Sequence, residues 1–124
     1  SEQLNQMTLP GVCFRPVQFN PTHQKYAGQL CGGCQIHITD RWKFTPVATI
    51  VTLLQVFYRS YPAKFEWRNP PYEYEELKLP IDILFGSDRL RHQFNSDIQA
   101  TEISASWENE LKVFSKVRER YLLY

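Results

Sequence analysis

Cys31-Gly32-Gly33-Cys34-Gln35-Ile36-His37-Ile38-Thr39 precedes Thr45-Pro46-Val47-Ala48-Thr49-Ile50-Val51 by a few residues, and between them the hydrophobic period changes. From Cys34 to Thr39 apolar and polar residues alternate. Cys34, Ile36 and Ile38 fall on one face and Gln35, His37 and Thr39 on the other, which predicts a strand with one buried and one polar face. Thr45-Pro46 then reads as a helix start, an N-cap hydroxyl followed by proline at the first helical position. Val47, Ile50, Val51, Leu54, Phe57 and Tyr58 recur at helical spacing, with Leu53 and Val56 widening the stripe. The expectation is a largely buried helix that Tyr61-Pro62 stops.

Working outward, Val12 to Phe19 reads as a second extended segment. Val12 and Phe14 face one way, and Cys13, Val17 and Phe19 the other. Pro16 cannot donate a ladder hydrogen bond, so this strand is bulged, interrupted or at an edge. Before it, Ser1 to Met7 reads as the tail of a helix whose beginning is cut off, ended by Leu9-Pro10-Gly11. A piece of a longer polypeptide is therefore expected. Downstream, Phe65-Glu66-Trp67 suggests a short strand. Residues 69–80 form a long irregular segment, of the kind that is often functional. Pro80 to Phe85 reads as a short helix ended by Gly86, and Ser87 as the cap of the next, which carries Leu90 and Phe94. Ser96 and Gln99 suggest a capping box. A final helix then aligns Ile103, Trp107, Leu111, Phe114, Val117 and Tyr121, with Glu108 and Lys112 opposite. Two early extended segments and three later helices predict an α+β fold: a small antiparallel sheet, able to curl toward a barrel, packed with about three helices in a single domain over residues 1–124.

Composition narrows the function classes. Fourteen basic and 13 acidic residues leave a net charge of +1, which argues against a broad basic nucleic-acid face or a polybasic membrane anchor. No apolar run approaches the roughly 18 residues of a membrane span. Seven Tyr, eight Phe and three Trp suit either a well-filled core or a surface for sugars or peptides. Three cysteines are too few for a disulfide scaffold.

The chemistry-bearing groups are scattered. Cys31 and Cys34 form a CxxC that leads into a strand, without the helix start that would lower a thiol's pKa. Cys13, Cys31, Cys34 and His37 reach the roughly four ligands of a zinc site only if two segments converge. The predominant reading is that these cysteines are small buried hydrophobes, with no metal and no cofactor. His37 shares its strand face with Gln35 and Thr39 and either faces solvent, sits at the edge of the core or meets a ligand. Glu73, Glu75 and Glu76 lie beside Tyr72 and Tyr74 in the long loop. Paired carboxylates can run glycoside hydrolysis, although loop carboxylates are ordinarily just solvated. There is no GxSxG elbow and no phosphate cradle.

A family resemblance runs through the whole chain. It is carried by Leu9-Pro10-Gly11-Val12, Phe14-Arg15-Pro16, Phe19, Pro21, Lys25, Gly28, Cys31, Gly33, Gln35-Ile36-His37, Thr39-Asp40, Phe44 and Pro46. It continues through Pro70-Pro71-Tyr72-Glu73-Tyr74-Glu75, Pro80-Ile81-Asp82, Leu84-x-Gly86-Ser87-Asp88, Trp107, Phe114, Arg118 and Tyr121-Leu122-Leu123-Tyr124. In these positions the chain resembles the C-terminal domain of the bacterial exo-β-N-acetylmuramidases, the NamZ-like family long known as a domain of unknown function. The resemblance implies a two-domain glycoside hydrolase of the cell envelope, periplasmic or secreted and tied to cell-wall recycling. Its Rossmann-like N-terminal domain, absent from this sequence, carries the catalytic glutamates and removes N-acetylmuramic acid from peptidoglycan fragments. The present chain would be catalytically inactive alone and would supply one wall of an interdomain cleft.

On that wall, Arg15 and Lys25 are expected to meet the lactyl carboxylate, Arg15 in bidentate fashion. Gln35 and His37 are expected from the polar strand face, and Tyr72 and Glu73 from the long loop. An interdomain salt bridge or hydrogen bond is the competing role for each. The expected partners are the N-terminal domain and a muramic-acid-containing glycan. Cys34 stands where the family usually has an aliphatic residue, and in an oxidising envelope that raises the prospect of a strained Cys31–Cys34 disulfide. A different reading is a stand-alone glycan- or protein-binding module without catalysis.

Overall fold

The computed structural model describes residues 1–94, 96 and 98–123. The chain forms two compact units, Ser1–Leu53 and Leu54–Tyr124. It is α+β, with two antiparallel strands and a series of helices.

The first unit opens with helix α1 (Glu2–Gln6) and continues into strands β1 (Val12–Phe19) and β2 (Cys31–Ile38). The strands pair without a bulge from Val12 opposite Ile38 to Phe19 opposite Cys31. Pro16 fits because each strand of a two-stranded ribbon has a free edge. The ribbon is open rather than a closed barrel. β2 begins at Cys31, three residues earlier than the alternation suggests. The strand starts there because β1 runs on to Phe19, which pairs with Cys31; the Phe19 ring lies against Gly33, where an added Cβ would come within 3.2 Å of it.

At the outer edge of β1, the Asn5 amide substitutes for a third strand. Its Nδ2 donates to the Phe14 carbonyl and its Oδ1 accepts from the Phe14 N–H, each at 2.8 Å. This ties α1 to the ribbon and satisfies two backbone groups beside a buried side chain. Gly11 makes the next corner. Its φ is +68°, and its carbonyl accepts from the Thr39 and Asp40 N–H groups at 2.9 and 3.2 Å. Leu4, Phe14 and Val51 are the buried apolar side chains of this unit.

Helix α2 (Pro46–Ser60) begins and ends where the sequence signals predict and carries the chain into the second unit. Its buried face differs from the expected stripe. Thr49, Val51, Thr52 and Gln55 are buried, whereas Val47, Ile50 and Phe57 are exposed. Thr52 and Gln55 tolerate burial because their hydrogen bonds are made, whereas the buried Thr49 hydroxyl has no partner. The Thr52 hydroxyl donates back to the Ala48 carbonyl at 2.8 Å. Gln55 donates to the Ile98 carbonyl at 2.7 Å and accepts from the Ala100 N–H at 2.9 Å.

The second unit contains α3 (Pro80–Phe85), α4 (Arg89–Phe94), α5 (Ala100–Ala105), α6 (Glu108–Arg118) and a 3-10 turn (Glu119–Tyr121). Its core gathers Leu90, Phe94, Ala100 and Ile103. Tyr58, Phe65, Trp67 and Phe94 meet edge to face with centroids 4.8–6.2 Å apart. Phe65 and Trp67 therefore serve as packing residues, and no strand forms between them. Arg91 grips Asp82 with two guanidinium nitrogens, its Nε 3.0 and 3.2 Å and its Nη2 2.9 Å from the carboxylate oxygens. The hydrogen bond to Asp82 raises the Arg91 pKa above its ordinary value and joins α3 to α4.

Two cap expectations shift along the chain. Helix α4 begins at Arg89, and the carbonyl of Asp88, not Ser87, accepts from the His92 N–H. The capping box sits at Gln99 and Glu102, with the Gln99 N–H donating to the Glu102 carboxylate at 3.1 Å. Ser96 instead closes the end of α4, its hydroxyl donating to the Gln93 carbonyl at 2.7 Å. The expected single final helix is divided at Ser106-Trp107 into α5 and α6, and the burial that includes Ile103 does not continue into α6.

Candidate functional site: the polar face of the ribbon

Alternation along the paired strands puts Cys13, Arg15, Val17 and Phe19 of β1 on the same face as Cys31, Gly33, Gln35 and His37 of β2. Arg15 lies directly across from Gln35, and its Nη2 donates to Gln35 Oε1 at 2.7 Å. One hydrogen bond holds the guanidinium in place while its other N–H donors stay available. His37 pairs with Cys13 two register positions away, the next pair on that face. Its Nε2 is shielded from solvent and has no hydrogen-bond partner. This face can offer an anion a planar, oriented donor with an amide beside it.

Lys25 is exposed in the connection between the strands, flanked by Gln24 and Tyr26, whose φ values are +63° and +62°. The Gly28 N–H donates to the Pro21 carbonyl at 2.9 Å and closes this loop. Tyr72 and Glu73 belong to the second unit. Tyr72 and Glu75 exchange two backbone hydrogen bonds of 2.9 and 3.0 Å across a tight turn, with Glu73 at φ +53°. The Arg68 guanidinium lies 5.8 Å from the Tyr72 ring centre. The structure thus brings Arg15, Gln35 and His37 onto one face and Tyr72 and Glu73 onto one turn.

Glu75 turns back on its own loop. Its Oε1 accepts from the N–H groups of Leu77 at 2.9 Å and Lys78 at 3.2 Å. These bonds, Leu77's first and then Lys78's, hold its pKa below the ordinary 4.5. A carboxylate with a lowered pKa favours the folded state above its unfolded pKa, and that contribution disappears as pH falls through the folded value. The Leu77 and Lys78 amide shifts should therefore titrate together with a midpoint below 4.5. A midpoint at or above that value in an NMR titration would remove Glu75 as the organiser of this loop.

The cysteine pair is not a site. Cys31 and Cys34 stand three residues apart along β2, so their side chains leave opposite faces. Their Cα atoms are separated by about 10 Å of extended chain, whereas a disulfide needs about 4.4–6.8 Å. All three cysteines are free thiols, and the ribbon prevents the strained disulfide considered from the sequence. For the same reason Cys34 points away from Cys13, Cys31 and His37, and the four cannot share a metal ion.

Sequence reading passed over Trp42. It stands almost fully exposed on the turn after β2, with the Arg41 guanidinium 5.3 Å from its ring. The Asp40 carboxylate shapes that turn by accepting from the Trp42 N–H at 3.0 Å. The signal was present in Asp40-Arg41-Trp42-Lys43, an aromatic residue between two cations just after a turn-forming aspartate.

These features define an α+β chain whose first unit displays an arginine-bearing ribbon face. Residues 1–124 match the family described as "Exo-beta-N-acetylmuramidase NamZ, C-terminal", and the chain belongs to that family. It is 36% identical over 123 residues to the peptidoglycan beta-N-acetylmuramidase NamZ of Bacillus subtilis (strain 168), with 99% of this chain and 28% of that protein covered. It also superposes on the crystal structure of a DUF1343 family protein from Bacteroides fragilis NCTC 9343 with a TM-score of 0.80 at 24% identity, covering 99% of this chain and 31% of that one. The latter likeness concerns the fold. The chain spans less than a third of the length of either relative. Among the described residues, no helix is long and apolar enough to cross a membrane.

Proposed function

We propose that this chain is the C-terminal accessory domain of a two-domain exo-β-N-acetylmuramidase that acts on peptidoglycan in the cell envelope. On this reading a separate N-terminal domain performs the glycoside hydrolysis, and the present chain holds the sugar without cleaving it. N-acetylmuramic acid differs from N-acetylglucosamine by an ether-linked lactyl carboxylate. An arginine held at a fixed orientation suits that group, because its fork of donors can engage both carboxylate oxygens. The Arg15–Gln35 pair on the ribbon's polar face carries this reading, and family membership supports it. His37 is proposed beside that pair. Lys25 is a further cation for the same carboxylate, and Tyr72 and Glu73 are proposed as sugar contacts from the second unit.

Arg15→Ala in the full-length enzyme is expected to raise KM for muramyl substrates about tenfold while kcat changes little, as loss of one charge-assisted contact predicts. An analogue without the lactyl carboxylate should bind the parent and the variant alike. Steady-state kinetics with both ligands test the assignment. An unchanged KM, or equal weakening toward both ligands, would exclude Arg15 as the carboxylate contact.

A further inference from the structure

We propose that the apolar face of α6 is the surface on which this domain docks to the remainder of its polypeptide, and that α6 is held as a helix by that contact. The inference rests on the two-domain reading above and names the surface that joins the parts. Helix α6 has 11 residues, none of them buried. Helices shorter than about 12–15 residues are marginal in water when nothing packs on them. Its middle turns nevertheless carry an apolar face, with Glu110, paired to Arg89 at 2.9 Å, and Arg118 on the same side at its two ends. Leu111, Val113, Phe114, Val117 and Tyr121 of the following turn fall within one side of the helical wheel, and Phe114 and Val117 are 61% and 44% exposed. Val113, Phe114 and Val117, with Asn109 and Glu110 at one end, line a shallow groove of about 440 Å³. The opposite side is polar, with Glu108 and Lys112 3.9 Å apart. Only a partner surface makes this distribution favourable.

Chain length decides the occupant. The five apolar side chains offer on the order of 500 Å² for burial. A covalently tethered partner acts at an effective concentration in the millimolar range, so a face of this size suffices to hold it. Such a partner has ample chain to come from: the matched region makes up 28% of the Bacillus subtilis relative, and the family is defined as a C-terminal one.

Hydrogen exchange of the full-length polypeptide tests this. Segment 108–121 should exchange at least about 100-fold slower than an unstructured chain. The double substitution Phe114→Asp/Val117→Asp should reduce that protection at least tenfold, while Glu108→Gln/Lys112→Gln on the other side leaves it unchanged. Unprotected exchange of the segment in the parent polypeptide overturns the proposal, even if the aspartate variant cannot be folded. So does protection that survives the aspartates, or protection lost on dilution as a dimer dissociates in sedimentation. Muramidase activity is read separately. A protected segment in a polypeptide that releases no muramic acid would refute the enzyme reading and leave the docking surface standing.

Discussion

Gly11→Ala is expected to destabilise the first unit by about 3 kcal/mol or more, the largest single effect of any glycine in the chain. Two contributions add. An alanine at φ +68° is forced into the left-handed region, a strain of about 1–2 kcal/mol. Its Cβ would also collide with the Asp40 carbonyl oxygen and lie 2.7 Å from the Phe44 nitrogen. Both are backbone atoms, so relief requires the corner to move, at roughly another 1–3 kcal/mol. Gly28 supplies the internal comparison. It has a similar φ of +75° with nothing within 4 Å of an added Cβ, so Gly28→Ala should show only the conformational part. Urea unfolding of the two variants followed by circular dichroism separates the contributions. Equal losses would show that the corner relaxes freely. The consequence reaches the candidate site, because Gly11 accepts the hydrogen bonds that close β2 onto the start of β1, the strand that carries Arg15.

Phe94→Ala should destabilise the second unit by about 3–5 kcal/mol, the usual loss for a large aromatic removed from a core. Phe94 is 2% exposed and meets the edges or faces of Tyr58 and Trp67 at 6.2 and 5.6 Å. Small domains have only about 5–15 kcal/mol of total stability, so the variant would lie near the threshold of folding. Phe94→Leu fills more of the space and should lose clearly less. Denaturant titration monitored by tryptophan fluorescence measures both. A Phe94→Ala midpoint close to that of the parent would mean that the aromatic cluster collapses around the gap.

The candidate site was partly legible in the sequence. Alternation from Cys34 to Thr39 is enough to place Gln35 and His37 on one strand face, because side chains alternate with a period of two wherever the strand is paired. It could not show that Arg15 lies opposite Gln35, since register depends on the partner strand and the loop between them. The long loop shows the opposite limit. Glu73, Glu75 and Glu76 look alike as residues in a sequence, yet only the folded turn directs Glu75 onto the Leu77 and Lys78 amides.

Along its length, the sequence alone determined the α+β class, the limits of α2 and the family to which the chain belongs. These follow from local periods, from proline and glycine punctuation, and from motifs distributed over the whole chain. Only the tertiary structure decided which face of α2 is buried. The helical period marks Val47, Ile50 and Phe57 for the interior, but Gln55 is buried because its partners Ile98 and Ala100, 43 and 45 residues away, satisfy its amide. It also decided the fate of the CxxC, which a strand divides between two faces. Burial and reach depend on partners distant in the chain, and a period read along one segment carries no information about them.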